Sequence, residues 1–596
     1  MLSRAIFFLC AAFMIYASLV FYPKWKQGGG EAAISYDASG YYWYLPAAFI
    51  YQDLKHQAFS DSMLKKYNPG PEFPGFRYAN GNYVLKYSSG LALQELPFFA
   101  VANVLAKPFG YPQDGFSLPY QLAIQLGGLL VALIGIWYFR KLLLLFYNDP
   151  VTAIALFILV FCTNYIDFGA INIGMTHSWL FTLYVFLILN TIKFYKTFSY
   201  KYAAAVGLLV GLATLTRPTE VITCIIPLLW GMETIDPKAF IQRAVLLLGQ
   251  WEKLLLALFC FGLFISIQLF YWKYVSGRWI VYSYEHQGFT WFPPHFRDYT
   301  FDWSSGWLIY TPVMFFAFVG VIPFIKKGTN KLPILLFMFL NYYIVVAWDV
   351  WTYGGRAMLQ SYAILFFPLV SCIEVVYQNK ILKWLGAIAL LCFLYLNIWL
   401  TYHEHAGPEH LYNSGSDFNT RQYFMRSVGR WSIPLDYQKL RDNSEQSFNE
   451  PKNLHLIYQN DFENDTSIHS PLPAIEGKRS IYLDKTIQSS KEYKFTFNNK
   501  DHDDRVRLQA TFFTNNKEWT SWKMTQFVVR FYNKNDNIKE NLIRVQRFLD
   551  NGVKKDIYFD CKIPQKPYDT VAVVFWNSTS EQPIQVDNLK VWSYKE

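Results

Sequence analysis

Residues 117–143 read SLPYQLAIQLGGLLVALIGIWYFRKLL, an apolar run that ends beside the basic pair Arg140-Lys141. A run of about 20 apolar residues can cross the hydrocarbon core of a bilayer as a helix. The chain of 596 residues is 53% hydrophobic and 16% charged, whereas roughly 25% of the residues in an average soluble protein are charged. The sequence therefore predicts a polytopic α-helical membrane protein.

Similar apolar runs recur over the first two thirds of the chain. The first run is compatible with a signal peptide or a retained membrane helix, and its length and the lack of a small-residue cleavage site favour the helix. Pro218 divides one apolar stretch, so we expect a hairpin at Arg217 rather than one long helix. The sequence predicts about eleven membrane spans, at 4–22, 117–143, 150–168, 177–196, 202–216, 219–232, 253–275, 307–326, 331–348, 358–378 and 383–402.

Lysine and arginine residues predict the orientation of these spans. The net charge of +10 comes from residues at the ends of apolar runs, which is typical of topology signals rather than of nucleic-acid binding. A cytoplasmic N-terminus puts basic loops inside at Arg140-Lys141, 193–201, 238–253, 326–331 and 380–383; Lys24 and Lys26 are exceptions. The extracytoplasmic segments are then 24–116, 169–176, the turn at Arg217, 276–306, 349–357 and everything after 403, with interfacial helices at 41–54 and 91–105.

The composition changes after Tyr402, where Asn, Asp, Lys and Ser become frequent. We expect a membrane domain at 1–403, a linker at 404–453 and an extracytoplasmic, jelly-roll-like antiparallel β-sandwich at 454–596. Its ends, 461–464 and 586–591, resemble carbohydrate-binding modules, and both a glycan-binding role and a structural cap fit. The cysteines show neither disulfide nor zinc spacing. The predicted strands are 454–458, 479–483, 493–497, 505–513, 527–532, 557–559, 570–576 and 584–592.

Three polar residues in the first predicted outer segments are candidates for catalysis or binding, and each also has an ordinary structural explanation. Asp37 could act as a general base or cap the next helix. Lys86 precedes the second interfacial helix, where a lysine binds phosphate or anchors the chain at the interface. His177 stands at the outer end of a membrane helix, as a binding residue or an ordinary interfacial histidine.

Two arginines and an aromatic loop follow on the same predicted face. Arg217 lies between apolar half-helices, where an arginine needs a partner or water, and Glu220 is one candidate. The loop 282–295 is rich in aromatic and polar side chains, which suits a sugar ring and also a membrane-interface belt. Arg356 follows the flexible pair Gly354-Gly355, where an anionic headgroup could bind. The convergence of these sites on one face is the functional signal.

The order of these segments over residues 1–405 resembles the GT-C membrane glycosyltransferases of family 39, which include dolichyl-phosphate-mannose protein mannosyltransferases and aminoarabinose transferases. Two departures are Ala38, where many relatives carry a second acidic residue, and Ser88-Ser89, where they carry prolines. The motifs that carry the resemblance are Tyr36-Asp37 with Tyr41-Tyr42, Lys86 to Gly90 with Leu96 to Phe99, Asp114 to Gln121, Thr163-Asn164, Thr176 to Ser178, Thr216 to Thr219, Tyr282 to Glu285 through Gly306-Trp307, and Tyr353 to Arg356.

The resemblance implies transfer of a sugar, with inversion, from an isoprenyl-phosphate carrier to a protein, lipid or surface polysaccharide, at the outer face of a bacterial plasma membrane. It implies that Asp37 is the catalytic base and that Lys86 contacts the donor phosphate. The positive charges of Lys86, Arg217 and Arg356 would together offset charge on the departing phosphate, so all three are candidates for binding it. No cofactor or metal site is expected, although dependence on a divalent metal is left open. The substrate-binding candidates are Tyr41, Tyr42, His177, Tyr284, Glu285 and His286.

Two other functional classes compete with a transferase. A transporter or flippase-like protein predicts polar groups near the bilayer midplane and an internal repeat. A non-catalytic scaffold that presents a glycan-binding domain predicts Asp37 and Lys86 far apart. A transferase predicts Asp37, Lys86 and Arg356 in one cavity that opens to the outer leaflet.

Overall fold

The computed structural model describes residues 1–70, 72–350, 353–406, 417–465, 470–520 and 522–596. The chain forms two compact units, Met1–Ala406 and Gly407–Glu596. The first is helical apart from one small hairpin, and the second contains antiparallel β-sheets. The predicted fold class, a helical membrane part followed by an all-β part, is confirmed.

Long apolar helices form most of the first unit, because a helix satisfies its backbone hydrogen bonds internally where no water is available. Asparagines cap two of them: the side chains of Asn148 and Asn379 accept from the first free N–H groups of the helices that follow. The long helices are α1 (Leu2–Tyr16), α6 (Leu118–Leu143), α7 (Asp149–Phe161), α8 (Thr176–Thr197), α9 (Tyr200–Thr216), α12 (Trp251–Ser276), α17 (Lys331–Ala347), α18 (Tyr362–Gln378) and α19 (Lys380–His405).

The connecting elements are the hairpin strands β1 and β2 and α-helices that, apart from the 17-residue α5, have 12 residues or fewer. They are α2 (Tyr36–Tyr42), α3 (Tyr44–Phe49), α4 (Ser60–Tyr67), β1 (Gly75–Arg77), β2 (Tyr83–Leu85), α5 (Gly90–Ala106), α10 (Ile225–Leu229), α11 (Pro237–Leu248), α13 (Phe296–Phe301), α14 (Trp307–Tyr310), α15 (Phe315–Val319) and α16 (Val321–Lys327).

Helix lengths differ among the predicted spans. Within the described residues, six helices are long and apolar enough to cross a membrane: Leu2–Lys26, Leu118–Leu143, Thr176–Thr197, Trp251–Ser276, Gly354–Gln378 and Lys380–His405. Four other predicted spans contain shorter apolar helices, and the predicted span 307–326 is divided into α14, α15 and α16 around Pro312 and Gly320. The count of eleven spans stays a prediction.

Glycines allow close helix packing in this unit. A Cβ at Gly207 would lie 2.1 Å from the Ala257 carbonyl oxygen, and one at Gly211 would lie 2.9 Å from the Phe261 carbonyl oxygen. These glycines are four residues apart on α9, so they form one stripe against α12. Small residues spaced in this way let membrane helices approach each other closely.

Polar contacts connect the ends of the first helices. Ser3 at the start of α1 accepts a hydrogen bond from Arg140 Nε at 2.8 Å, which places the start of α1 beside the basic end of α6. Lys24, an exception to the predicted charge pattern, is buried and donates to Asn172 Oδ1 at 2.8 Å. Lys24 is thus an internal hydrogen-bond donor, which explains a lysine on the predicted outer side.

The first long loop, 24–116, folds over an aromatic core. The predicted interfacial helix 41–54 is two short helices, α2 and α3, whereas the predicted helix 91–105 coincides with α5. Trp43 is fully buried and stacks on Phe59. The side chain of Gln121 on α6 accepts from Ile34 N at 2.8 Å, which holds the loop against the helices.

The second unit is an antiparallel β-sandwich. The strands are β3 (Lys452–Asn460), β4 (Ile481–Leu483), β5 (Tyr493–Thr496), β6 (Arg505–Phe513), β7 (Gln526–Asn533), β8 (Asp536–Arg544), β9 (Lys555–Lys562), β10 (Thr570–Trp576) and β11 (Ile584–Lys595). Among the described residues, one sheet has the order β5-β10-β7-β8 and the other β3-β11-β6-β9, with β4 also on β11. Inward-facing residues of both sheets, such as Phe512, Phe527 and Phe575, form one core.

Strand β8 is absent from the sequence prediction. Its residues, DNIKENLIR, are mostly polar because β8 is an edge strand, where charges protect the open edge. It forms a hairpin with β7 through a two-residue turn in which Lys534 has a φ of 59°. This turn lacks the Asn-Gly pair that usually marks such hairpins in sequence.

The segment predicted as a linker, 404–453, contains α20 (Asp417–Ser427) and α21 (Leu435–Gln438), while 407–416 lies outside the described residues. Residues after α21 bind the sandwich. Asn443 donates to the Asp560 carbonyl at 2.7 Å, and Asp442 accepts from Arg544 N at 2.9 Å. The part of the segment after α21 is therefore packed against the β-strands.

Candidate active site

Asp37 is the centre of a polar cluster in the first unit. One carboxylate oxygen, Oδ1, accepts a hydrogen bond from the Tyr87 hydroxyl at 2.6 Å, and Oδ2 accepts one from Arg356 Nη2 at 2.5 Å. The Asp37 side chain keeps about a third of its surface exposed, at 32%, and that of Arg356 keeps 29%. The carboxylate is therefore fixed by two donors and still accessible to a ligand.

The local fold of α2 holds Asp37 in place. Tyr36 adopts a positive φ of 45°, and its N–H donates to the Pro69 carbonyl at 2.6 Å, so α2 begins at a sharp turn. Gly40 lies against the Tyr87 ring, where a Cβ would approach a ring carbon to 2.5 Å. This close packing brings the Tyr87 hydroxyl to the Asp37 carboxylate.

Helix α12 anchors the Lys86-Tyr87 segment. The Tyr271 hydroxyl accepts from Leu85 N at 2.9 Å, and the side-chain oxygen Oε1 of Gln268 accepts from Ser89 N at 2.9 Å. Proline has no N–H and could not make the Ser89 bond, which gives a structural reason for the serine here. Lys86 lies over the Tyr87 and Tyr284 rings, with Nζ 5.6 Å and 5.9 Å from the ring centroids.

Arg356 owes its position to the two glycines before it. Gly354 and Gly355 have φ values of 61° and 62°, a conformation that other residues rarely adopt. A Cβ at Gly355 would lie 2.4 Å from Trp307 Cβ. The Gly354 carbonyl accepts from Asn164 Nδ2 and the Gly355 carbonyl from the Tyr299 hydroxyl, both at 2.9 Å. Trp351 and Thr352 of this motif lie outside the described residues.

A buried hydrogen-bond network lies beside Arg217. His177 Nδ1 is 3.1 Å from Gln360 Oε1, and Gln360 Nε2 donates to Glu220 Oε1 at 3.1 Å. The Tyr184 hydroxyl donates to the other Glu220 oxygen. Because the Gln360 oxygen is an acceptor, His177 donates from Nδ1 and its Nε2 is the acceptor nitrogen. Arg217 interacts electrostatically with Glu220 and Tyr41, and its Nη1 is buried without a hydrogen-bond partner among the described residues.

The charge balance of the site is positive. Within the described part of the site, Lys86, Arg217 and Arg356 carry positive charge, while Asp37 and Glu220 are the carboxyl groups. Burial raises the pKa of Asp37, but the Arg356 charge, the Tyr87 hydrogen bond and the Lys86 charge outweigh burial and hold this pKa below its ordinary value. Asp37 is therefore ionised at neutral pH, and the excess positive charge suits a phosphate.

Aromatic rings form one wall of the cluster. The Tyr41 and Tyr87 rings lie 4.3 Å apart, and Tyr284 meets Tyr87 edge to face at 6.0 Å. Trp348 contacts Tyr284 at 5.4 Å. The structure therefore brings the predicted binding residues Tyr41 and Tyr284 to Asp37 and Lys86, and adds Trp348.

Three predicted binding residues lie elsewhere in the described structure. Tyr42 points into the core of the first loop, where it packs on Phe99 and its hydroxyl donates to the Gly115 carbonyl at 2.6 Å. Glu285 and His286 follow Tyr284 and are exposed. Their side chains have no described contact with the Asp37 cluster.

Sequence reasoning missed Tyr87, Gln360 and Tyr184 as site residues. Tyr87 had one available signal, because it directly follows Lys86. Gln360 and Tyr184 lie in helical segments whose apolar neighbours gave no sign of a polar partner. Glu220 appeared in sequence only as a possible partner of Arg217, although hydrogen bonds from Gln360 and Tyr184 also hold it.

Ala38 follows Asp37, so the position next to Asp37 in the chain carries no second carboxylate. Ala38 is buried, and a Cβ at Gly174 would lie 2.8 Å from the Ala38 Cβ, so a longer side chain at either position would clash. In the described residues, one group has metal-ligand spacing: His455, Asp501 and Asp503 of the second unit. The expectation that the reaction needs no cofactor stays a prediction.

Comparison with known proteins finds similarity at the level of solved structures. No protein family model and no curated protein sequence matches the chain. The oligosaccharyltransferase of Archaeoglobus fulgidus is similar with a TM-score of 0.42 and 12% identity, over 76% of this chain and 62% of that one. The arabinosyltransferase EmbB of Mycobacterium smegmatis is similar with a TM-score of 0.32 and 10% identity, over 84% of this chain and 60% of that one. This chain thus spans about three fifths of the length of each.

Proposed function

We propose that this protein is a membrane glycosyltransferase that moves a sugar from an isoprenyl-phosphate donor to an acceptor hydroxyl at the outer face of the bilayer. One observation carries the proposal. Asp37 forms an ion pair with Arg356, and Lys86 lies over the ring of Tyr87, whose hydroxyl binds Asp37. These residues come from distant parts of the chain. A non-catalytic scaffold gives no reason for an accessible carboxylate beside several cations.

The cations define the place of the donor phosphate. Lys86 has no carboxylate within ion-pair distance among the described residues, and Arg217 Nη1 is buried without a partner. A phosphate between them would gain charge-assisted hydrogen bonds and restore charge balance. As the sugar leaves, negative charge develops on the bridging phosphate oxygen, where these cations stabilise it most.

Asp37 acts on the acceptor. Donor phosphate competes for Arg356, and the release of Arg356 exposes Asp37 Oδ2, while Tyr87 still holds Oδ1. The acceptor oxygen then attacks the anomeric carbon and its proton passes to Oδ2. The bond from the anomeric carbon to the phosphate oxygen breaks with its electron pair on that oxygen, and in-line attack inverts the anomeric centre.

In the proposed complex, the sugar ring lies between the phosphate-binding cations and Asp37. Tyr284, which is partly exposed, offers an aromatic ring beside the cations, whereas the buried Tyr41 packs against Tyr87 and the buried His177 contacts Gln360. The isoprenyl chain stays in the surrounding bilayer. The acceptor class, whether protein, lipid or surface polysaccharide, is left to experiment.

Glycan analysis of a deletion strain tests this function. Mass spectrometry of surface glycans, glycolipids and glycoproteins from a strain that lacks the gene should reveal a missing sugar. The wild-type chain restores the sugar, and so does the control Asp61→Asn, which changes an exposed carboxylate in α4. Asp37→Asn lowers transfer by about 100-fold or more, because general-base catalysis contributes that much.

Two outcomes would overturn the proposal. An unchanged glycome in the deletion strain would show that the protein is not the proposed transferase. If Asp37→Asn restored the missing sugar fully, at a protein level in the membrane equal to that of Asp61→Asn, Asp37 would not be the catalytic base.

A further inference from the structure

A cavity lies in the first unit among residues other than those of the Asp37 cluster. It is a half-open slot of about 230 Å³ between α7, α15, α18 and α19, and its lining includes Ile158, Leu369, Val376, Ala387 and Phe393. The lining side chains come from the second half of α18, whereas Arg356 precedes its first turn. A helix rises 1.5 Å per residue, so the α18 residues that line the cavity, Leu369 to Tyr377, lie roughly 10–23 Å along the helix from its first residue.

The cavity is suited to an apolar occupant. Folded proteins contain few voids larger than a water molecule, whereas the volume of this cavity is many times the roughly 10–15 Å³ that a single water needs. Waters need polar partners, whereas the lining is apolar except for Tyr377, Lys383 and the Cys372 thiol. Only 6% of the apolar window of α19 is buried, so this helix contacts bilayer along most of its length. Lipid chains are the apolar material available there.

The mouth of the cavity carries a positive charge. Lys383 Nζ lies 4.2 Å from the centroid of the Tyr377 ring, and Lys383 has no carboxylate partner among the described residues. Lys380 stands at the first position of the same helix. An ammonium group at the end of an apolar slot is complementary to a lipid with an anionic headgroup.

We infer that this cavity binds one acyl chain of an anionic glycerophospholipid, with the phosphate of the headgroup at Lys383. The predicted topology puts Lys380 and Lys383 on the cytoplasmic side, so the lipid comes from the cytoplasmic leaflet. The bound chain fills the space between α19 and the rest of the helical unit. The lipid is therefore a structural ligand, separate from the proposed sugar donor.

Photo-crosslinking in nanodiscs tests the inference with the full chain. The probe is phosphatidylglycerol with a diazirine in its acyl chain, and the comparison probe has the same chain on phosphatidylcholine. Peptides from α18 and α19 that line the cavity should carry the phosphatidylglycerol label. Ala387→Phe fills the cavity and should reduce this label about fivefold or more, whereas Ile388→Phe, on the exposed face of α19, should not.

The headgroup is tested by a second pair of variants that leave the cavity open. Lys383→Gln should reduce labelling by phosphatidylglycerol about fivefold, the contribution of one lysine to binding of an anionic lipid, without changing labelling by phosphatidylcholine. Lys380→Gln is the matched control and should have a smaller effect. Each variant must elute as a monodisperse protein with the helical content of the wild type.

Three results would overturn the inference. Labelling of cavity peptides that is equal in the Ala387→Phe and Ile388→Phe proteins means that the chain binds outside the cavity. Equal labelling by the phosphatidylglycerol and phosphatidylcholine probes would show that Lys383 does not select an anionic headgroup. Displacement of the phosphatidylglycerol label by an isoprenyl phosphate, but not by unlabelled phosphatidylglycerol, assigns the cavity to an isoprenyl chain instead.

Discussion

At the residue scale, Asp37 illustrates how opposing effects decide a protonation state. Burial raises the pKa of this carboxyl, yet the Arg356 charge and the Tyr87 hydrogen bond hold the pKa below its ordinary value. A low pKa makes a carboxylate a weaker base, but it also keeps the group ionised and oriented. In the proposed mechanism, the donor phosphate removes Arg356 from this pair, so Asp37 becomes more basic when the donor is bound.

The first residue-scale prediction concerns Tyr87→Phe. This change removes a hydrogen bond that lowers the pKa of Asp37 and leaves the burial that raises it, so the acid limb of the pH profile of kcat/KM should move to higher pH. The hydrogen bond to a charged carboxylate also orients it, and its loss should reduce kcat/KM at neutral pH about tenfold. Transfer rates measured across the acidic range check both effects.

Tyr67→Phe is the control for Tyr87→Phe. The Tyr67 hydroxyl donates to Asp114, which is another tyrosine–aspartate pair of the first loop that lies outside the cluster. We expect the pH profile of Tyr67→Phe to match the wild type. An acid limb that stays in place in Tyr87→Phe would show that Asp37 does not control it.

At the element scale, the segment before α18 positions Arg356 through its backbone. Gly354 and Gly355 adopt left-handed conformations, and their carbonyls accept from Asn164 and Tyr299. These bonds tie the segment to the helical core instead of leaving it as a free loop. The guanidinium thus reaches Asp37 from a rigid support.

Gly355→Ala should displace Arg356. The new Cβ would clash with Trp307, and a left-handed conformation costs about 1–2 kcal/mol in a residue that has a Cβ. We expect a fall in kcat/KM of at least about tenfold and a lower Tm. Activity assays and thermal unfolding in detergent measure these changes.

Gly262→Ala provides the comparison. Gly262 lies in α12 with open space where a Cβ would stand, and alanine favours helix more than glycine does. Activity should be unchanged, and Tm should stay equal or rise slightly. If Gly355→Ala behaved like Gly262→Ala, the glycine pair would have no positioning role.

At the scale of the whole molecule, the second unit has its own core and should fold by itself. Residues 407–596, expressed alone, should unfold cooperatively. Phe527 is fully buried between Phe559 and Phe575, so Phe527→Ala should lower the free energy of unfolding by about 3–5 kcal/mol. Urea unfolding followed by tryptophan fluorescence measures the change.

Trp519→Ala controls for the loss of a large aromatic side chain. Trp519 is 69% exposed, so its removal should change the free energy of unfolding by no more than about 0.5 kcal/mol. A fragment that fails to unfold cooperatively would show that the second unit depends on the first.

The sequence by itself determined the class of fold and most strand positions. Apolar length and proline decide where a helix can exist, and both are local properties, so α6, α8, α12 and the break at Arg217 were predictable. The alternation of apolar and polar residues likewise located β6 and β10 at their observed bounds. It missed β8, because an edge strand needs polar residues and therefore lacks the alternation that marks a buried strand.

Only the tertiary structure decided which polar residues meet. Tyr41 and Tyr42 are neighbours in sequence, yet one joins the cluster and the other enters the core of the first loop, because successive residues of a helix point in different directions. The contact between Asp37 and Arg356 joins the first long loop to the segment before α18, and no local pattern encodes a pairing at that separation. Sequence fixes where each residue can stand along its own helix, whereas the packing of helices against each other selects its partners.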